Sequence, residues 1–97
     1  MNTVTIARNE IEPLLTVLIH QLTTEGCATE RAVYSRIQRT LRSARHAHEL
    51  TSPFNDLRST LQLGLRLSED SSVLLERILQ KAEQVADLLD APPGRLH

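Results

Sequence analysis

The residues best suited to chemistry form one short stretch, HELTSP, that runs from His48 to Pro53. An imidazole can carry a proton or accept a phosphoryl group, and an adjacent carboxylate such as Glu49 can hydrogen-bond one ring nitrogen and sharpen the nucleophilicity of the other. Ser52 follows His48 by one helical turn, where its hydroxyl could hold a water molecule or a phosphoryl oxygen. Pro53 lacks a backbone N–H and would bend a continuing helix beside the histidine. The stretch therefore predicts a reactive histidine at a flexible point.

At these residues the chain resembles the dimerisation and phosphoacceptor domain of sensor histidine kinases, whose histidine box reads His, Glu, Leu, any residue, Thr or Asn, Pro, Leu. The matching positions are His48, Glu49, Leu50 and Pro53. Ser52 stands where the family has Thr or Asn, Phe54 stands for Leu, and Thr51 occupies a position that is often Arg. These departures argue against phosphatase activity more than against phosphate acceptance by the histidine. The resemblance spans roughly residues 31–90 and includes the helical pattern on both sides of the box.

The resemblance implies a role for each residue of the box. His48 would be the phosphoacceptor, Glu49 its acid–base and orienting partner, Ser52 a contact for water or phosphate, and Pro53 a structural hinge. Histidine kinases bind ATP in a separate following domain with acidic and glycine-rich boxes. This sequence stops seven residues after VADLLD and has no glycine-rich phosphate loop, so we expect no autokinase activity and no cofactor.

A phosphoryl group on His48 would therefore come from another protein and leave to one, in the manner of a phosphotransfer relay in two-component signalling. The expected partners are a sensor kinase or a response regulator, which the chain could also dock as an inhibitor. A hypothesis from a different class is a non-catalytic helical adaptor that binds proteins as a homodimer, without chemistry at His48.

Composition favours one small helical domain. The chain has 97 residues, of which 40% are hydrophobic and 24% charged, as in a globular protein. With 2% aromatic residues and three glycines, it suits all-α packing through aliphatic seams. Because so short a chain can build only a modest core, we expect a homodimer, in which two hairpins form a four-helix bundle.

Charge and cysteine content exclude several classes of partner and location. The net charge of −1 provides no field that would attract nucleic acid or an anionic membrane. A single cysteine, Cys27, rules out an internal disulfide and fits a reducing compartment. We see neither a signal peptide nor an apolar stretch long enough to span a membrane, so the expected location is the cytoplasm. The four histidines and Cys27 have no metal-binding spacing; they are His20, His46, His48 and His97.

The N-terminal segment, residues 1–28, is predicted to hold one helix. Residues 1–10 are polar and mixed, and we expect a frayed lead-in with Asn9 as a possible cap. From Ile11 apolar residues recur at helical spacing, with Pro13 in the first turn and Gly26 as the terminator.

Residues 29–91 are predicted to form an antiparallel helical hairpin. Its first arm carries an apolar repeat of about 3.5 residues, typical of left-handed supercoiled packing. The repeat comprises Val33, Ile37, Leu41, Ala44, Ala47, Leu50, Phe54, Leu57, Leu61 and Leu65. Two geometries fit: one long helix bent at Pro53, or two helices separated at Thr51 and Ser52 with Pro53 in the first turn of the second. We favour the first, which places His48 at the edge of the apolar seam.

Two further features complete the hairpin. The alternating stretch LQLGLRL, residues 61–67, would suit a strand when read alone, but no second strand is visible to pair with it, and we interpret it as helix. The polar cluster at residues 68–72 predicts the turn, with Ser71 or Ser72 capping the second arm. A stripe through Leu75, Ile78, Ala82, Val85 and Leu89 then predicts a helix that ends at Ala91, before a tail of residues 92–97.

Arginines lie mainly on the face opposite this seam. They are Arg31, Arg36, Arg39, Arg42 and Arg45. Contacts to nucleic acid would be expected to involve interleaved aromatic residues, which are absent. We therefore expect a solvated face or a docking surface for an acidic partner protein, with Arg39, Arg42 and Arg45 nearest the histidine box.

Overall fold

The computed structural model describes residues 2–90, and all regular structure in that range is helical. The helices are α1 (Thr3–Glu10), α2 (Glu12–Thr24), α3 (Ala28–Ser43), α4 (Thr51–Ser59) and α5 (Glu69–Asp90). Two short 3₁₀ turns, Ala47–Leu50 and Thr60–Gln62, precede and follow α4. The described residues contain no strand, so the all-α prediction is confirmed.

Helix α1 replaces the frayed lead-in that the sequence led us to expect. Asn2 caps it, since its side-chain Oδ1 accepts a hydrogen bond from the N–H of Val4 at 2.7 Å. Val4 and Ala7 are buried, and with Ile11 they form a short apolar stripe. The prediction for residues 1–10 was therefore wrong, because this stripe is weak in a polar sequence but has a core to cover.

Helix α2 provides the wall against which the longer helices pack. It buries Leu15, Leu18 and Leu22 completely, and both α3 and α5 lie against it. The helix ends just before Gly26, whose φ of 74° lies in the left-handed region that glycine adopts at low cost. The predicted helix between Ile11 and Gly26 is confirmed.

The predicted long helix through Pro53 is wrong. Helix α3 ends at Ser43, and the backbone is extended at Ala44 (ψ 131°) and again at His46 (ψ 151°). We call residues 44–46 the elbow. Pro53 instead lies in the first turn of α4, where its missing N–H breaks no helical hydrogen bond. The chain thus resembles the two-helix geometry, although the break precedes His48 instead of lying at Thr51 and Ser52.

A side chain from α1 explains the position of this break. The Arg8 guanidinium donates hydrogen bonds to the carbonyl oxygens of Arg42, at 2.9 Å, and Ala44, at 2.5 Å. These carbonyls are at the end of α3 and have no partner within the helix. Arg8 therefore stabilises the end of α3, a contact that local sequence pattern does not reveal.

The segment after α4 continues neither as a strand nor as the predicted helix. The 3₁₀ turn at Thr60–Gln62 leads to Gly64, whose φ of 66° is left-handed, and regular structure resumes only at Glu69. Leu61 and Leu63 are consequently 63% and 58% exposed. The rejection of a strand is confirmed. The predicted helix through Leu61 and Leu65 is wrong, although Leu65 is half-buried and packs against the core.

Helix α5 buries the predicted stripe of Leu75, Ile78, Ala82 and Val85. Its cap is Ser68, whose Oγ accepts a hydrogen bond from the N–H of Ser71 at 3.1 Å, so the prediction of Ser71 or Ser72 as the cap was wrong. The predicted end at Ala91 and the tail of residues 92–97 lie outside the described residues.

All five helices contribute residues to one hydrophobic core. The structure measures 49 × 22 × 18 Å along its principal axes. Helix α5 packs on α1, α2 and α4, and α3 packs on α2 and α4. None of the described helices has the length and apolar character needed to cross a membrane. The dimeric four-helix bundle stays a prediction.

Candidate functional site

The histidine box lies immediately after the elbow, on the 3₁₀ turn that leads into α4. His48 is exposed, and its ring stacks on that of His46 with centroids 5.7 Å apart and planes 4° from parallel. Leu50 and Phe54 are buried and fix the turn to the core. An exposed imidazole on an anchored turn is open to a reactant from another protein.

The carboxylate of Glu49 binds backbone rather than a histidine ring. Its Oε1 accepts hydrogen bonds from the N–H groups of Arg45, at 3.1 Å, and His46, at 2.9 Å. These two bonds lower the pKa of Glu49 below its ordinary value, and the charges of His46 and His48 act in the same direction. Within the described contacts, Glu49 makes no hydrogen bond to His48. Its observed role is to close the elbow, and its orienting role stays a prediction.

Ser52 and Pro53 differ in exposure. Ser52 is exposed on the first turn of α4, so its hydroxyl can reach solvent. Pro53 is buried and packs with the core. The structure thus leaves His48 and Ser52 open to solvent, while the proline anchors the helix that follows.

The three arginines predicted to dock a partner have different surroundings. Arg42 pairs with Glu12, with 2.5 Å between Nε and Oε1. Arg39 and Arg45 are exposed, and their side chains form no ion pair with the described residues. Arg39 and Arg45 are therefore better placed than Arg42 to bind an anionic partner.

A polar network between α2 and α3 supports this end of α3. Gln38 donates through Nε2 to the hydroxyl of Thr16, at 2.7 Å, and to the carbonyl of Glu12, at 3.3 Å. Together with the Arg42–Glu12 pair, these bonds fix α3 on α2 just before the elbow. Residues at this separation in sequence give no periodic signal, so the network could not be predicted.

A groove between α3 and the end of α4 was also missed. Its volume is about 210 Å³, and it is lined by Val33, Arg36, Ile37, Asp56, Ser59, Thr60 and Leu63. Near Thr60 lies the buried Tyr34, whose hydroxyl has no hydrogen-bond partner among residues 2–90. Burial raises the pKa of this phenol above its ordinary value of 10.0. The groove could not be predicted because it depends on the break after Gln62, which leaves Leu63 exposed.

No group of three or more potential ligands gathers within residues 2–90 to hold a metal ion. Comparison of the chain with protein-family models, with curated proteins and with solved structures finds no match. Geometry and the histidine box therefore carry the functional argument.

Proposed function

We propose that this chain is a docking module of two-component signalling, in which His48 receives a phosphoryl group from a sensor kinase or response regulator, or is presented to one as an inhibitor. The observation that supports the proposal is the exposure of His48 on an anchored turn beside the elbow. Arg39 and Arg45, which are exposed and unpaired among the described residues, would contact the acidic surface of the partner.

Transfer from a phosphorylated response regulator requires one substitution at phosphorus. The unprotonated ring nitrogen of His48 attacks the phosphorus atom, and an N–P bond forms as the P–O bond to the donor aspartate breaks. The aspartate leaves as a carboxylate, and the exposed hydroxyl of Ser52 would donate a hydrogen bond to a phosphoryl oxygen. No ATP is consumed at this site.

The test is phosphoryl transfer to the purified chain from phosphorylated sensor kinases and response regulators. We expect an acid-labile label on the wild type and on His46→Ala, and none on His48→Ala. His46→Ala is the matched control because it removes the stacked neighbour and keeps the acceptor. Absence of label on the wild type, or equal label on His48→Ala, would refute phosphotransfer.

A second candidate is the non-catalytic adaptor that binds proteins as a homodimer. It is favoured by Glu49, whose carboxylate is occupied by backbone N–H groups in place of the His48 ring. If this candidate is correct, His48→Ala binds the partner as tightly as the wild type, whereas Arg39→Glu combined with Arg45→Glu weakens binding. Arg58→Glu, an exposed charge reversal on α4, serves as the control.

A further inference from the structure

Opposite charges are concentrated on two different helices. Helix α3 has four basic residues and one acidic residue, a net charge of +3, whereas α5 has six acidic and two basic residues, a net charge of −4. Both helices pack on α2, so each presents its polar face on its own flank of the molecule. A chain with a net charge of only −1 therefore has one strongly basic and one strongly acidic helix.

The basic flank contains the groove. Val33, Ile37 and Leu63 give the groove apolar walls, and its charged lining residues are Arg36 on α3 and Asp56 on α4. Arg36 also lines a shallow depression that continues along α3 past Arg39 to Ser43. Neither arginine forms an ion pair within the described part of the chain. The surface therefore combines an apolar slot with two available guanidinium groups.

The acidic flank has the matching features. Glu76, Glu83 and Asp87 are exposed, and their spacing places them along one side of α5. Two aliphatic side chains beside this row, Val73 and Leu88, are 52% and 54% exposed, and the exposed Arg77 follows Val73 by one helical turn. An exposed helix with aliphatic side chains beside a row of carboxylates is the kind of element that binds in a basic apolar groove.

We propose that the groove between α3 and α4 binds the outer face of α5 from a second copy of this chain. Arg36 and Arg39 would pair with the α5 carboxylates, while Val73 or Leu88 enters between Val33 and Leu63. The proposal deepens the homodimer of the adaptor function and rests on that self-association. Arg39 is shared with the docking surface proposed for a signalling partner, but none of the contacting residues belongs to the histidine box, so self-association is measured without phosphoryl transfer to His48.

The two surfaces in this contact are different. If both reciprocal contacts form at once, two copies close into an isologous two-fold dimer; if only one forms, the contact is heterologous and each copy adds to the next in an open chain. In either arrangement, ion pairs at the rim make association depend on salt, since the screening length falls from roughly 10 Å at 0.1 M to about 3 Å at 1 M.

Sedimentation equilibrium of the whole chain tests the proposal. We expect wild type to associate, and Arg36→Glu with Arg39→Glu to raise the dissociation constant at least about tenfold, because like charges then face each other. Glu83→Lys with Asp87→Lys should have the same effect. Mixing the two double variants should restore association, because each surface again meets opposite charge. Circular dichroism of each variant verifies that the helices are retained.

The control is Arg58→Glu with Arg66→Glu, which changes the net charge equally at exposed sites outside the groove. This variant should associate like the wild type. A monomeric wild type would overturn the proposal and leave the groove to some other occupant. Association that neither reversal weakens, or that mixing fails to restore, would also overturn it. None of these results depends on whether His48 accepts a phosphoryl group.

Discussion

At the elbow, a side chain that was predicted to assist catalysis forms hydrogen bonds with the backbone instead. Glu49 was predicted from its position beside His48 to orient the imidazole, yet its Oε1 accepts two backbone hydrogen bonds. A carboxylate that follows an extended segment by three residues is well placed to bond the free N–H groups there. The residue pair His48 and Glu49 is thus compatible with a catalytic pair and with a carboxylate that stabilises a turn. Only the extended backbone of the elbow shows which of the two contacts Glu49 makes.

The substitution Glu49→Gln tests whether the hydrogen bonds from the backbone N–H groups of the elbow to the Glu49 carboxylate stabilise the fold. The lowered pKa of Glu49 means that its ionised form stabilises the fold. This contribution is present above the ordinary value of 4.5 and is lost as the pH falls through the lowered folded value. We therefore expect the variant to unfold at lower urea concentration than wild type near neutral pH, with the difference shrinking in acid.

The corresponding control is Asp56→Asn, which removes another exposed carboxylate on the following helix. Its side chain makes no hydrogen bond with the described residues, so this variant should lower stability near neutral pH less than Glu49→Gln does. Equal stability of Glu49→Gln and wild type at every pH would contradict a stabilising role for the two hydrogen bonds.

At the level of helices, the buried stripes in the middle of the helices were predicted well, and the residues where helices begin and end were predicted poorly. The stripes of α2 and α5 are confirmed because each covers the core with regular spacing over several turns. The end of α3 depends on Arg8, which lies more than thirty residues earlier and has no local signal. The histidine box was identified from its residue types, and the roles of its residues stay predictions. The Glu49 contacts and the groove both depend on breaks between helices that the apolar periodicity does not indicate.

The N-terminus of α5 was predicted to have a different capping residue, and a substitution there tests the observed cap. Ser68 caps the helix and also donates to Oε2 of Glu25 at 2.6 Å, which ties the end of α2 to the start of α5. Ser68→Ala should therefore lower the free energy of unfolding by about 1 kcal/mol, a typical loss for an N-cap. Urea unfolding measures the change.

Ser72→Ala is the matched control, because the Ser72 side chain makes no hydrogen bond with the described residues and was one of the two predicted caps. We expect it to change stability far less than Ser68→Ala. The reverse order would show that the helix begins where the sequence first suggested.

At the level of the whole molecule, the N-terminal segment and the histidine-box segment form a single structural unit. Helices α1 and α2 bury Val4, Ala7 and the α2 leucines in the same cluster as α3, α4 and α5. Local pattern does not place residues 1–10 in this unit, because the apolar stripe formed by Val4, Ala7 and Ile11 has only three members in a polar sequence. The shared core was therefore the least predictable property of the fold.

Val4→Asp tests whether α1 belongs to the core. Val4 is 4% exposed, and a carboxylate there would be buried without a partner, so we expect a loss of about 2–4 kcal/mol in unfolding free energy. Thr5→Asp places the same charge one residue later on the exposed face and should be nearly neutral. Similar behaviour of the two variants in thermal unfolding would mean that α1 contributes little.

The Arg8 contact has a consequence for how information could travel through the chain. A force that draws α1 away would release the carbonyls of Arg42 and Ala44, and α3 would then be free to wind onward through the elbow. Each added residue would rotate the attached imidazole by about 100° around the helix axis and carry it about 1.5 Å along it. Displacement of α1 would thus change the direction in which the His48 imidazole faces.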